Sequence, residues 1–310
     1  MFPIIKAGLQ KDEEVVENAW QNNSMYSKNI AEKPMNLSWL AGAGKYRIIA
    51  CVDTVKPKGV FNRSKQIATL TLQSLNHLFW PAVCINCGQN ICETDNRLCK
   101  SCWGQLMGCC GADYCPCCGQ DVSRYALLEG RCPNCQDKEI YFDQIGRGGV
   151  YREALRKMIP AFKLGGRTEL DSVLGFLANS ALQGSGFYND IELFVPVPLH
   201  WSRRLARGYN QSQILARKLK HPKAKISTDL VRIRRTRSQP TMASASSRAA
   251  NVAGAFAVRS DHQFTARTLC LVDDIKTTGA TLNECAKTLK QAGASKVFAI
   301  VLAVAGQNAS

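Results

Sequence analysis

The chain has 310 residues, enough for about two domains with a sizeable core, and no apolar run approaches the ~20 residues needed to cross a bilayer. The N-terminus lacks the basic-then-apolar order of a signal peptide, so a cytoplasmic protein is expected. Forty Lys and Arg against 24 Asp and Glu give a net charge of +16, and the excess is local: residues 200–260 carry fourteen Lys and Arg against one acid, Asp229.

Residues 1–66 mix polar stretches such as Lys11-Asp12-Glu13-Glu14 with one short apolar run at 48–52. Their composition predicts a weakly ordered extension, or a start site assigned too far upstream. Leu72, Leu75, Leu78 and Phe79 share one helical face, so a short helix is expected at 72–79, leading into a cysteine-rich segment over residues 67–140.

Four Cys-x-x-Cys pairs follow: Cys84/Cys87, Cys99/Cys102, Cys115/Cys118 and Cys132/Cys135. A two-residue spacer lets both thiolates face one ion, and two such knuckles complete a tetrahedral four-cysteine zinc site. The segment therefore suits one or two structural zinc ions, with adjacent or interleaved pairs sharing an ion. Closed four-cysteine sites leave no position for substrate, and so short a stretch cannot build its own core, so the metal is expected to act as a staple. Four pairs in series favour metal over a redox dithiol. Cys92, Cys109, Cys110 and Cys117 are surplus, whereas Cys51, Cys270 and Cys285 fit ordinary small apolar positions.

From 141 onward, helical and strand patterns alternate, which predicts an α/β parallel sheet flanked by helices. Helices are expected over 151–164, before the Gly165-Gly166 break, and over 170–182. A strand at 193–197 runs into an Arg-rich loop, a third helix covers 211–219, and the last strand covers 297–304. The arginines beside Val195-Pro196-Val197-Pro198 should attract polyanions, a pyrophosphate or a nucleic-acid backbone, whereas Arg217, Lys218 and Lys220 suit a solvated helix face equally well.

Residues 269–272 are four consecutive apolar residues, the pattern of a buried parallel strand. Asp273 and Asp274 then fall at its carboxyl end, where open α/β sheets bind ligands. Thr277, Thr278, Gly279, Ala280 and Thr281 can offer backbone N–H groups and hydroxyls to an anion at the start of a helix. Leu282, Cys285, Ala286 and Leu289 give that helix its apolar face, and Gly293 stops it. This order suits a sugar phosphate: the carboxylates would hold ribose hydroxyls, and a Mg²⁺ held mainly by ligand oxygens would offset the ligand's charge. An Asp-Asp turn before a plain helix cap is the simpler alternative.

The run Val272-Asp273-Asp274-Ile275-Lys276-Thr277-Thr278-Gly279-Ala280-Thr281 resembles the phosphoribosyl-pyrophosphate (PRPP) signature of type I phosphoribosyltransferases. The resemblance implies that the acidic pair contacts ribose hydroxyls and that the Thr/Gly loop wraps the 5′-phosphate. Lys276 stands in a slot expected to be apolar or small, which leaves the charge of the pocket open. From about residue 70 onward the chain resembles the ComF/GntX family, which joins an N-terminal zinc module to a PRPP-binding-type domain. The resemblance rests on the Cys-x-x-Cys series, Phe162-Lys163-Leu164-Gly165-Gly166-Arg167, Val195-Pro196-Val197-Pro198-Leu199-His200, Arg207-Gly208-Tyr209-Asn210-Gln211, Arg235-Thr236-Arg237-Ser238-Gln239-Pro240 and Arg248-Ala249-Ala250-Asn251-Val252, all in order before the PRPP signature.

That family resemblance implies a phosphoribosyltransferase-like domain over 141–310 and a role in DNA uptake for competence or in the use of external DNA as nutrient. If phosphoribosyl transfer occurs, Asp273 and Asp274 would carry it. Leu199, His200, Arg203, Arg204, Arg207 and Arg235 would serve the pyrophosphate and its lid. The alternative is a non-catalytic scaffold that binds single-stranded DNA or a competence partner, a helicase or DNA-processing protein. Arg232, Arg234 and Arg237 are the nucleic-acid candidates, with Trp201 and Tyr209 for base stacking.

Overall fold

A computed structural model describes residues 82–91, 97–111, 113–236 and 245–306. The expectations for residues 1–66, the helix at 72–79, Cys51, Cys92 and Arg237 lie outside the described residues. Ala82–Ser310 form one compact unit.

At its centre is a five-stranded sheet in the order β1-β7-β6-β2-β3, with every neighbouring pair parallel. Its strands are β1 (Gln144–Val150), β2 (Leu193–Pro196), β3 (Lys225–Ile226), β6 (Thr268–Lys276) and β7 (Lys296–Val304). The two long central strands are continuous apolar runs because helices cover both faces. Val297 to Val304 are all buried. The expected strand at 269–272 extends further, through both aspartates to Lys276, because Asp273, Ile275 and Lys276 remain in register with Val301, Ala303 and Val304 of β7.

One face is covered by α2 (Glu153–Leu164), α3 (Asp171–Gln183) and α5 (Gln211–Lys218). Leu155, Met158, Ile159 and Phe162 of α2 recur at helical spacing and are buried there with Leu174 and Leu215. The other face is covered by α7 (Ala280–Gln291), through Leu282, Cys285, Ala286 and Leu289. A short antiparallel ribbon, β4 (Leu230–Arg232) with β5 (Phe256–Val258), lies on this side, joined through α6 (Ala245–Val252).

The segment expected as an Arg-rich loop is instead a short helix, α4 (Trp201–Arg207), capped by His200 and ended by left-handed Gly208. Among its described residues the cysteine-rich segment adds one α-helix, α1 (Lys100–Gly108), and shares its core with the sheet domain. Cys84, Leu98, Cys102 and Leu106 pack in the same cluster as Leu155 and Phe162.

Candidate ribose-phosphate and metal sites

The eight Cys-x-x-Cys thiols gather into two quartets, Cys84/Cys87/Cys99/Cys102 and Cys115/Cys118/Cys132/Cys135, with the ligand atoms of each within 4.8 Å of one another. Adjacent pairs therefore share a centre, and interleaved pairing is ruled out. Sulfurs about 2.3 Å from a tetrahedral zinc stand about 3.8 Å apart. The Cys87–Cys99, Cys115–Cys135 and Cys118–Cys132 separations are 3.7, 3.7 and 3.5 Å, so the donor set and its spacing fit zinc. Burial works against a thiolate at Cys84, but backbone donors at Cys99, Cys87 and Asn86 outweigh it and bring the thiol to about 6. Burial pushes Cys102 and Cys118 up to about 12. Metal at these centres must displace such protons. Cys109 and Cys117 stand outside both quartets, while Cys270 and Cys285 are fully buried core residues.

The acidic pair sits at the carboxyl end of β6. Asp274 is 3% exposed and forms an ion pair with Lys163, whose Nζ lies 2.8 Å from one carboxylate oxygen and 3.0 Å from the other. The Ile275 amide donates to Asp274 at 2.8 Å. Asp273 Oδ1 accepts from the Ser212 hydroxyl at 3.0 Å and from the Asp274 amide at 2.9 Å. Burial disfavours the charge on Lys163, but Asp274 and Asp273 overcome this and raise its pKa. Burial, reinforced by the charge on Asp274, lifts Asp273 to about 7, against the pull of Lys163 and Ser212.

The sign of the stability effect follows from linkage. Asp273 is neutral in both states below its unfolded value near 4, and folding increasingly resists its ionisation as pH rises through about 7. Asp273→Asn is therefore expected to leave stability nearly unchanged at pH 4 and to raise it by about 1–3 kcal/mol at pH 8, as read by thermal melts at both pH values. No gain at pH 8 would contradict the strained carboxylate.

Thr277, Thr278 and Gly279 form the turn from β6 into α7, whose first two residues are Ala280 and Thr281, with Gly279 in the N-cap position at φ 85°. Glycine is favoured there by the backbone, with the lysine side chain beneath close enough that it would have to shift for a Cβ. The left-handed backbone strains any other residue, and a Cβ would lie 2.9 Å from Lys276 Cε.

Tyr209, expected only as a base-stacking candidate, joins Asn210 and Gln211, to which the sequence assigns no role, as the struts of the site. The Tyr209 hydroxyl donates to the Phe162 carbonyl, and Gln211 Nε2 donates to the Lys163 carbonyl at 2.9 Å. Asn210 Nδ2 donates to the Val197 carbonyl at 3.1 Å, while its Oδ1 caps α5 by accepting from the Ser212 amide at 3.1 Å. Lys163, Ser212 and the β2 terminus are thereby fixed relative to the acidic strand. Asn210→Ala is expected to cost about 1–2 kcal/mol in chemical denaturation through the lost cap, and an unchanged midpoint would contradict this role.

Val197 is buried at the end of β2, Leu199 is partly exposed, and His200 is buried, its Nδ1 accepting from the Ser202 amide at 3.3 Å as the α4 cap. Arg203 donates to the Thr236 carbonyl at 2.7 Å, and Arg232 donates to the Thr236 hydroxyl. Burial lowers the pKa of Arg203, with Arg207 and Arg235 adding repulsion. Arg232 is lowered by burial and then by Arg203, while the charge of Asp273 opposes both. These guanidiniums thus lie within one another's fields near the acidic strand end. Arg232 Nε is buried without a hydrogen-bond partner, and its guanidinium lies 5.1 Å over Phe256. Arg204, Arg234 and Arg235 are exposed, and Arg234 donates to the Ala253 carbonyl at 2.5 Å.

A parallel sheet with an acidic pair and a Thr/Gly turn at the end of a central strand, joined to two four-cysteine centres, defines a phosphoribosyltransferase-like α/β protein with a cysteine-rich metal-binding module. No protein-family profile matches the chain. It is 32% identical over 220 residues to Competence protein F of Haemophilus influenzae, covering 69% of this chain and 93% of that protein. It is 31% identical over 206 residues to DNA utilization protein YhgH of Salmonella typhimurium, covering 63% and 88%. It is 25% identical over 211 residues to Competence protein ComFC of Bacillus subtilis, covering 65% and 81%. The chain belongs to the ComF family.

Proposed function

We propose that this protein binds PRPP or a related ribose 5-phosphate at the carboxyl end of β6 and acts in DNA uptake for competence or in the use of external DNA. The names of the relatives support the second half of this reading. The observation that carries the first half is Asp273 and Asp274 leading into the Gly279 turn and α7, with Arg232 close enough for the charge of Asp273 to act on it and Arg203 close enough to repel Arg232.

In this reading the carboxylates accept hydrogen bonds from the ribose 2′ and 3′ hydroxyls, and residues 277–281 hold the 5′-phosphate at the start of α7. Lys163 keeps the paired carboxylates from repelling one another. Arg203, Arg207 and Arg232 face the pyrophosphate, with Arg204 and Arg235 at its rim. Among the described residues, the groups of three or more potential metal ligands are the two cysteine quartets, so Mg²⁺ would arrive on ligand oxygens. It would neutralise pyrophosphate charge when bound.

Transfer would form a bond from an acceptor nucleophile to ribose C1 as the C1–O bond to pyrophosphate breaks, the bonding electrons leaving with pyrophosphate. Orientation and electrostatics are what these residues supply. The test is pyrophosphate release from PRPP across a panel of nucleobase acceptors. Acceptor-dependent release supports a transferase, and PRPP binding with no release across the panel supports a non-catalytic ligand-binding role.

A second reading, single-stranded DNA or a competence partner held on the basic surface, is favoured by Trp201. This tryptophan is 70% exposed on α4, beside Arg204, which is also exposed. It predicts single-strand binding that weakens steeply with salt, and salt-independent binding would contradict it. Among the described residues no helix is long and apolar enough to cross a membrane, and both readings place the protein's work in the cytoplasm.

A further inference from the structure

Thr236 has no role in the reading above, yet two of the arginines named there end on it. It is only 6% exposed. Arg203 Nη2 donates to its carbonyl at 2.7 Å, and Arg232 Nη2 donates to its hydroxyl. The two arginines come from different walls of the site. Arg203 stands on α4, which follows the carboxyl end of β2; there the Val197 amide donates at 3.0 Å to the carbonyl of Val272, one residue before Asp273. Arg232 ends β4 opposite Phe256 of β5, and Phe256 packs with Leu282 and Cys285 of α7. The Gly254 amide, donating to Glu284 at 2.7 Å, fastens that ribbon to α7. Thr236 therefore joins the wall at the strand ends to the wall built on α7.

Two guanidiniums brought to one residue repel each other unless an anion lies close to both. Among the described residues no carboxylate forms an ion pair with either. Arg232 Nε is buried without a hydrogen-bond partner, so the Thr236 hydroxyl and the Phe256 ring, 5.1 Å from the guanidinium, are what hold this group in place. A guanidinium meets phosphate oxygens through a rigid fork of donors, so its orientation decides how well it binds an anion. Arg203 uses the main chain of residue 236, which any residue would supply. Arg232 uses the side chain, which needs a hydroxyl.

We propose that Thr236 is a positioning residue whose hydroxyl sets the Arg232 guanidinium beside that of Arg203, making the two a clamp for the pyrophosphate group of the ligand. The assignment of pyrophosphate to these arginines rests on the function proposed above. The hold of Thr236 on Arg232 does not, and it can be read without ligand.

The test uses the full chain, zinc-loaded, as wild type, Thr236→Val and Thr236→Ser. Inorganic pyrophosphate and ribose 5-phosphate are titrated separately by calorimetry with Mg²⁺ present, and solvent exchange of the Arg232 Nε–H is followed by NMR. Valine keeps the shape of threonine and removes the hydroxyl. In Thr236→Val, pyrophosphate should bind about 10–100-fold more weakly, as expected for loss of a hydrogen bond to a charged group, while ribose 5-phosphate binds within about two-fold of wild type. Exchange of the Arg232 Nε–H should rise several-fold, and Thr236→Ser should restore both readouts. Thr236→Ala supplies the same readouts if valine is not tolerated. Unchanged pyrophosphate affinity, equal weakening of both ligands, unchanged exchange, or serine behaving as valine would overturn the proposal. A wild type that binds ribose 5-phosphate but not pyrophosphate would overturn the clamp alone. One that binds neither would count against the pocket assigned above as well, and the exchange result would still decide whether Thr236 holds Arg232.

Discussion

Replacing Cys118 by serine is expected to destabilise the sheet domain as well as weaken a metal site. All four thiols of its quartet are buried, and the knuckle that carries Cys118 is fastened to edge strand β1. The Ile145 amide donates to the Pro116 carbonyl at 2.8 Å, and Arg147 donates to the Gly119 carbonyl at 2.7 Å. Arg147 also pairs with Asp121 and lies under Tyr114, at 4.7 Å from the ring centroid. Structural zinc contributes about 10–16 kcal/mol in small metal-folded units, comparable with the whole stability of an ordinary domain at about 5–15 kcal/mol. Loss of one ligand should lower the melting temperature by more than about 10 °C and reduce the zinc content from two ions to one in elemental analysis. Cys87→Ser should cost less, because Cys87 is exposed at the rim of its quartet. A Cys118→Ser protein that melts within a few degrees of wild type would contradict the shared fold.

The second large effect is expected from the acidic pair. Asp273→Asn/Asp274→Asn removes both acceptor charges and leaves Lys163 without its ion-pair partner. Hydrogen bonds to charged groups are worth about 1.5–3 kcal/mol each, so losing two sets of ribose contacts should weaken PRPP binding by at least about 100-fold. The single Asp273→Asn change should retain the fold, separating lost recognition from lost structure. Unchanged affinity in the folded double variant would remove the acidic pair from the site.

Local patterns make the central segment legible. Four apolar residues from Leu269 announce a buried strand, and Leu282, Cys285, Ala286 and Leu289 announce the covering helix. The quartets are legible as metal ligands from their spacing, but which pairs share an ion requires the folded knuckles. Strand β1 is not among the expected elements, because Gly146, Arg147, Gly148 and Gly149 give it no apolar alternation. Its glycines are instead demanded by close approach: a Cβ on Gly149 would lie 2.5 Å from the Cys109 carbonyl oxygen, and one on Gly148 would lie 2.5 Å from Leu177. Helix α4 buries none of its own residues and so carries no apolar stripe to reveal it. The Lys163–Asp274 pair spans 111 residues of sequence, and the contact of Ser212 with Asp273 spans 61. Tertiary pairing at that distance leaves no periodic trace. The motifs Phe162-Lys163 and Tyr209-Asn210-Gln211 mark where to look without saying why.

Calorimetric titration of the zinc-loaded wild-type protein with PRPP in the presence of Mg²⁺ tests the ribose-phosphate assignment most directly. The account predicts saturable binding at one site per chain, competed by ribose 5-phosphate. A folded, zinc-loaded protein that gives no saturable binding of PRPP by calorimetry or by equilibrium dialysis would contradict it.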